Sequence, residues 1–466
     1  MFDEDKILAA SRAMDDGSDH AEPLRLLLEG GNKSHRVKMT GVALFCVVLA
    51  VLGAAAFLTH RASPSIEAEA SFWHVTLVST LFWIGVAQGL FALSAILRIA
   101  HASWRYPLTR ILDMGSLFGL WMPLLFPILW AARHFIYANG ASEPLFRDNV
   151  WRLIHPLVWD ALAVGTSFAA GWALLFLTSL PDFAMLRDRA AEKSKDRKFY
   201  GALAGSWRGD GRQWRVLRRA EGVLVVVILL SFVGSQTILG WDFQLSAAHN
   251  WESSIFAPIY TLSGLLAALA ACILLITVAG GSLRGKGFFT AHQYDNIGRV
   301  MVGIGLVWAY FRICDFLTAW YGHTPEEWRL QQSRTVYYPV QTGLMLLGCF
   351  LIPVFANFFP SLRRRVWLIC TNSVFVLIGV GAQRFLDSVP TFPPKFGILP
   401  FAPMLPALAV FVGIGGLFVL TYLIGAQLIP ILSWWGMGKG RTRMTEHKMG
   451  NATVTVMVED PPLWET

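Results

Sequence analysis

Ionisable side chains stand inside long apolar stretches of this chain, at spacings that permit proton chemistry. Asp160 lies near the start of an apolar run that ends near Ser179. A carboxylate at the centre of a membrane-spanning helix costs roughly 2.5–3.5 kcal/mol to keep charged, and less near the interface. Its only nearby basic neighbour in sequence is His155. Asp160 is therefore either a solvated residue at the membrane edge or a carboxylate kept for substrate or proton chemistry. Arg110 and Asp113, Arg312 and Asp315, and Arg384 and Asp387 are each spaced i, i+3. That spacing lets the two partners meet on one helical face. Such pairs either neutralise each other and hold a bundle together, or pass protons as shifting partners change each carboxylate's proton affinity. His74, His134 and His155 fall at helix ends. Haem ligation needs axial side chains facing each other across a bundle, and nothing in the pattern calls for it.

The elements that must position these groups are membrane helices. Of 466 residues, 55% are hydrophobic and only 15% charged, against about 25% charged in an average soluble domain. Ten apolar runs are long enough to cross ~30 Å of hydrocarbon: roughly 39–58, 72–97, 108–132, 156–180, 217–240, 256–279, 296–319, 338–358, 366–386 and 405–432. Backbone groups in lipid must be satisfied within the segment, so these runs predict helices. Alternating strand patterns of the barrel type are absent.

The net charge of +8 is a topology signal before it is a nucleic-acid one. The loop 181–219 holds eleven Lys and Arg, Arg363, Arg364 and Arg365 fill the turn after the eighth run, and Lys439, Arg441, Arg443 and Lys448 follow the tenth. Lys33, Arg36 and Lys38 precede the first. With ten alternating spans all four places share one side, which the positive-inside rule makes cytoplasmic, with both termini. Contact with anionic membrane lipid is a further expectation; nucleic acid is not an expected partner. The acidic start Met1-Phe2-Asp3-Glu4-Asp5-Lys6 does not read as a cleavable signal.

Three regions follow: a cytoplasmic arm over 1–38, with one amphipathic helix at Ala21–Leu28; a membrane domain over 39–432; and a cytoplasmic tail over 433–466. The five cysteines all fall within spans and make no CxxC pair, so they read as small apolar filler, and no metal or haem is expected in this chain. Gly280-Gly281-Ser282-Leu283-Arg284-Gly285-Lys286-Gly287 nearly spells a phosphate-binding loop. It lacks the hydroxyl residue that reaches magnesium and follows a membrane helix instead of a strand, so it reads as a basic turn. The 19 tryptophans are expected mainly as interfacial anchors.

Longer motifs carry a resemblance. Trp83-Ile84-Gly85-Val86-Ala87-Gln88-Gly89, Trp104-Arg105 through Arg110 and Asp113, Phe126-Pro127 through Arg133, and His155-Pro156-Leu157-Val158-Trp159-Asp160 resemble the NrfD (polysulfide reductase membrane-subunit) family. Leu180-Pro181-Asp182-Phe183-Ala184-Met185-Leu186-Arg187-Asp188-Arg189, Tyr200-Gly201 and Ser206-Trp207-Arg208-Gly209 look most like the ActC-type quinol-binding subunit of alternative complex III. Trp241-Asp242-Phe243, Ala319-Trp320-Tyr321-Gly322 and Gln383-Arg384-Phe385 extend the likeness, in order, over about residues 70 to 390.

The resemblance implies an all-α polytopic membrane protein of about ten transmembrane helices. Two four-helix bundles, helices 2–5 and 6–9, would be flanked by helices 1 and 10. It implies a multi-pass subunit of a bacterial-type inner membrane that exchanges electrons between quinone or quinol and an iron–sulfur partner, with molybdopterin-type or cytochrome subunits as further partners. Asp160 would contact the quinone or its proton, with Trp130, Arg133, His134 and Gln236 around it. Gln88, Asp113, Asp315, Gln383 and Arg384 would hold proton-path positions. The chain departs from the pattern: Gln88, Gln236 and Trp130 stand where His is expected, Gln383 where Glu is expected, and Asp113 and Asp315 replace Glu. Glutamine can hydrogen-bond a quinone carbonyl but takes no proton at neutral pH. Two other roles fit the same residues: a membrane anchor that kept the fold without quinone chemistry, and a proton translocator.

Overall fold

The computed structural model describes residues 33–59, 66–138, 156–189, 195–245, 251, 253–282, 289, 291–388, 401–431, 433, 442–449 and 452–459. The amphipathic helix expected at 21–28 lies outside them. Ten helical segments among these residues are long and apolar enough to cross a membrane. They begin with α1 (Lys33–Thr59) and α2 (Ile66–Ile99). The third span is composite, α3 (Tyr106–Asp113), a 3₁₀ stretch Met114–Trp121, and α4 (Met122–Ala138). After α5 (Pro156–Arg189), the short α6 (Lys195–Ala204) leads into α7 (Gly211–Phe243) and α8 (Phe256–Ser282). Then come α9 (Ala291–Gly322), α10 (Pro325–Gln332), α11 (Pro339–Leu346), α12 (Pro360–Arg363), α13 (Val366–Ser388) and α14 (Phe401–Leu428). The tail, expected only as polar, carries an antiparallel hairpin of β1 (Thr442–Met449) and β2 (Ala452–Glu459), with Thr442 opposite Glu459 and Met449 opposite Ala452.

Packing follows the two-bundle expectation. α2 lies against the third span and α7, and α5 lies against α7 and the 3₁₀ stretch. In the second half, α8 packs on α9 and α13, and the eighth span fills the space between α9 and α13. The halves join where α2 lies along α8, and α1 pairs with α14, which packs on α2. α2 is thus the central helix: its apolar window is 89% buried, against 11% for α1. The outer faces carry bare apolar side chains such as Leu44, Phe45, Leu124, Val223, Leu230, Leu317 and Trp367. The polar groups described below point inward. This distribution suits a protein solvated by lipid, where apolar contact outside costs nothing and polar groups need partners inside.

Two spans depart from the simple helices the hydropathy suggests. In the third, Gly115 and Gly119 let neighbours approach closely. An added Cβ would lie 2.9 Å from the Ala87 carbonyl oxygen at Gly115, and 2.6 Å from the Phe168 ring at Gly119. The tighter 3₁₀ winding coincides with this squeeze. In the eighth, wide π-type turns run over Leu347–Ala356 and include Pro353. Proline supplies no N–H to the preceding turn and crowds it, so a regular ladder cannot pass through.

Small residues set the closest helix contacts. A Cβ on Gly379 would lie 2.6 Å from the Gly348 Cα, and one on Gly53 2.8 Å from the Gly413 Cα. Gly379→Val must therefore push backbone apart, at a cost of about 1–3 kcal/mol. Its thermal midpoint in detergent should fall below that of wild type. Gly165→Ala, at a position with no heavy atom within 4 Å, should not lower it. Equal midpoints for the two variants would show that the Gly348–Gly379 contact is slack.

Candidate functional site

Asp160 stands at the head of α5's inward stripe. Asp160, Val164, Ser167, Phe168 and Gly171 recur at helical spacing; the first four are buried, and Gly171 lies against Ser116 and Phe91. Its neighbours Val158, Trp159 and Leu162 are bare on the outer face. Asp160 itself is 1% exposed, so it is an enclosed carboxylate and not a solvated edge residue. Trp130 on α4 is half exposed on the outer surface. Arg133 and His134 lie in the last turns of α4, where the backbone but not the side chains are described. Gln236, expected with this group, is hydrogen-bonded to Gln88.

Gln236 lies between α7 and α2, where its Nε2 donates to Gln88 Oε1 at 2.6 Å. Ser235 Oγ donates to the same oxygen at 3.1 Å. Both glutamines are 0% exposed. Gly85 and Gly264 line this junction: a Cβ on either would touch Gln236 Oε1 at 3.6 and 3.4 Å and Arg384 Nη2 at 3.8 Å. Arg384 donates to the Tyr260 carbonyl at 2.9 Å and stacks its guanidinium over the Tyr260 ring. The neutral amide pair and the arginine therefore meet where the two bundles join.

Two charged clusters stand on either side of this junction. The first lies near the end of α2 that carries the basic loops. Arg98 holds Asp113 with two hydrogen bonds of 2.9 and 2.7 Å, and reaches Glu221 on α7 at 2.9 Å. Arg110 crosses to α5, bonding Asp182 at 2.5 Å, the Thr178 carbonyl at 3.0 Å, and Ser179. The expected pair Arg110–Asp113 is therefore exchanged for two interhelical pairs. The i, i+3 spacing permits contact, but the forked guanidinium gains more from partners on other helices that it can meet head-on.

The second cluster lies near the opposite ends of α9 and α13. Arg312 meets Asp315 at 3.5 Å, as the spacing predicts, and also faces Asp387 at 3.9 Å. Arg334, in a π turn (Ser333–Tyr337) ahead of α11, faces Asp387 at 3.6 Å and stacks on Trp251. Ser253 donates to Asp315 at 2.8 Å. Trp308 donates to Gln383 Oε1 at 3.0 Å, and Gln383 Nε2 donates to Asp387 at 3.4 Å. Asp387 thus turns to Arg312 and Arg334, while Arg384 turns to Tyr260; the expected Arg384–Asp387 pair does not close. Burial, helped by nearby Arg312, pushes Arg334 down to about 10, which still leaves it charged at neutral pH.

Gln88 and Arg98 are ten residues apart on α2, about 15 Å of helix. Between them Ala92 packs with Phe232 and Leu265. The proton-path positions expected from sequence therefore fall into separate polar groups: Asp113 in one, Gln88 and Arg384 in the junction, and Gln383 and Asp315 in the third. Arg98, Glu221, Asp182, Arg334, Tyr260 and Trp308 complete these groups and were not anticipated. Arg98 and Arg334 fall just outside the predicted apolar runs, and Tyr260 and Trp308 look like ordinary aromatic filler. The signal the two arginines carry in sequence is a place at a run's edge, at the same depth as a carboxylate in another run. Among the described residues no group of three or more His, Cys, Asp and Glu side chains is placed to hold a metal.

The fold and these buried groups define an all-α polytopic membrane protein. No known family model and no curated protein matches the chain.

Asp113→Asn removes the charge opposite a buried arginine, and breaking such a pair costs about 3–5 kcal/mol. The variant should unfold well below wild type in detergent. Replacing both partners, Arg98→Met with Asp113→Leu, should recover much of the loss, because no charge in that pair remains uncompensated. A double variant no more stable than the single would mean that the Arg98–Asp113 contact is not the source of the loss.

Proposed function

We propose that the chain is the membrane subunit of a quinone/quinol oxidoreductase that exchanges electrons with an iron–sulfur partner. The observation that carries this reading is Asp160, a carboxylate 1% exposed and bordered by bare Val158, Trp159 and Leu162 on the outer face. A quinone head group arriving from lipid needs an apolar approach and a polar group behind it, and α5 offers both within its first turns. Quinol oxidation releases two protons with two electrons, and a carboxylate at the ring oxygen lowers the cost of that release. Asp160 would accept a ring hydrogen bond or its proton, while the outward ring of Trp130 would border the approach. Arg133 and His134 belong to the helix beside it.

In this reading both termini and the basic loops face the cytoplasm of a bacterial-type inner membrane, with molybdopterin-type or cytochrome subunits among the further partners. The charged clusters give the chain stations for protons at two depths, and the Gln88–Gln236–Arg384 junction lies between them. A second reading, a membrane anchor without quinone chemistry, is favoured by the Gln88–Gln236 bond. That bond ties α7 to α2 inside the first bundle, and neither neutral amide takes up a proton.

Membranes containing the chain should bind a radiolabelled quinone analogue saturably. Asp160→Asn should weaken binding about tenfold or more, in line with loss of a charge-assisted hydrogen bond. Absence of saturable binding to wild-type membranes would leave the anchor reading standing. Unchanged affinity in the variant would remove Asp160 from the site.

A further inference from the structure

We propose that the junction between the bundles binds an ordered water molecule, held between Gln236 Oε1 and the Arg384 guanidinium against the bare faces of Gly85 and Gly264. The ground is a set of deeply buried polar atoms that the protein leaves unanswered. Gln88 and Gln236 are fully buried, and Arg384 is 1% exposed. Gln236 Oε1, Gln88 Nε2, and Arg384 Nε and Nη1 bond to no protein group. Arg384 Nη2 carries two N–H groups, of which the Tyr260 carbonyl takes one. An amide oxygen and a guanidinium are costly to bury without partners. In native proteins such groups are met by other protein groups or by ordered water.

The space agrees. A Cβ on Gly85 would lie 3.6 Å from Gln236 Oε1 and 3.8 Å from Arg384 Nη2, and one on Gly264 3.4 and 3.8 Å from the same two atoms. Two glycines on different helices, α2 and α8, thus turn bare faces to one acceptor and one donor. Among the described residues, no other heavy atom comes within 4 Å of the Cβ position at Gly85. An interior water needs a polar spot and two to four partners. Here it would donate to Gln236 Oε1 and accept from Arg384. Gln88, bonded to Gln236 at 2.6 Å, adds a further idle donor in Nε2. Gln236 belongs to α7 in the first bundle and Arg384 to α13 in the second. The water would therefore supply the polar link between halves that these two side chains do not make directly. The site stands apart from Asp160 and from the quinone assignment.

The test uses the full chain purified in detergent. Glycine to alanine inside a helix normally stabilises it, and at Gly85 the added methyl has only ordinary contacts. A dry junction would therefore give Gly85→Ala a thermal midpoint equal to or above that of wild type, and that result would overturn the proposal. The expected result is a lower midpoint, because the methyl takes the place of the water and leaves Gln236 and Arg384 without it. Gly85→Ser should recover the loss, since its hydroxyl can donate to the amide oxygen and accept from the guanidinium. An equal fall in both variants would mean crowding alone, and would also overturn the proposal. Should the variants fail to fold, a map of the wild-type protein that resolves interior waters decides. Density within hydrogen-bond distance of both Gln236 Oε1 and Arg384 supports the site, and none at that spot refutes it.

Discussion

Hydrocarbon offers a charge no partner, and the interior of this protein is arranged around that constraint. Every arginine and aspartate drawn between the helices must be answered by another side chain, a carbonyl or a ring. The answers cross helices. Arg98 on α2 reaches Asp113 on α3 and Glu221 on α7, and Arg110 on α3 reaches Asp182 on α5. In the second half Arg334 and Arg312, from different elements, converge on Asp387 of α13. These contacts fix register as well as charge, because each one needs two helices at a set depth. α2 touches both bundles, so the junction on its face governs how the halves sit.

The two charged clusters differ in a way that bears on function. The first is closed, with short pairs and a surplus of acid partly open at Glu221, whose side chain is 33% exposed. In the second the pairs are longer, at 3.5–3.9 Å. Between Gln88 and Arg98 on α2, Ala92 packs with Phe232 and Leu265. At the junction between the clusters the side chains of Gln88 and Gln236 are neutral.

Asp160 belongs to neither cluster. It sits at the start of α5, buried itself, with Val158, Trp159 and Leu162 bare beside it in the chain. Along α5, Asp160 stands 22 residues from Asp182, which answers Arg110 toward the other end of the helix. Aromatic side chains stand inside and out: Trp251 and Tyr260 cradle guanidiniums in the interior, while Trp159 faces outward.

Ten spans and the all-α class were legible in the sequence, because an apolar run of membrane length leaves the backbone no choice but a helix. The inward position of Asp160 was half legible, since its cost marks it while its helical face does not. The i, i+3 pairs show what sequence cannot decide. Spacing made Arg110–Asp113, Arg312–Asp315 and Arg384–Asp387 equally eligible, yet only the middle one closes. A guanidinium chooses among all acceptors within reach, and that choice depends on which helices are neighbours. The same holds for Gln236, whose bond to Gln88 joins residues 148 positions apart. Sequence by itself determined which groups would be expensive to bury; the tertiary structure alone decided who answers each of them, because the answering groups come from other helices.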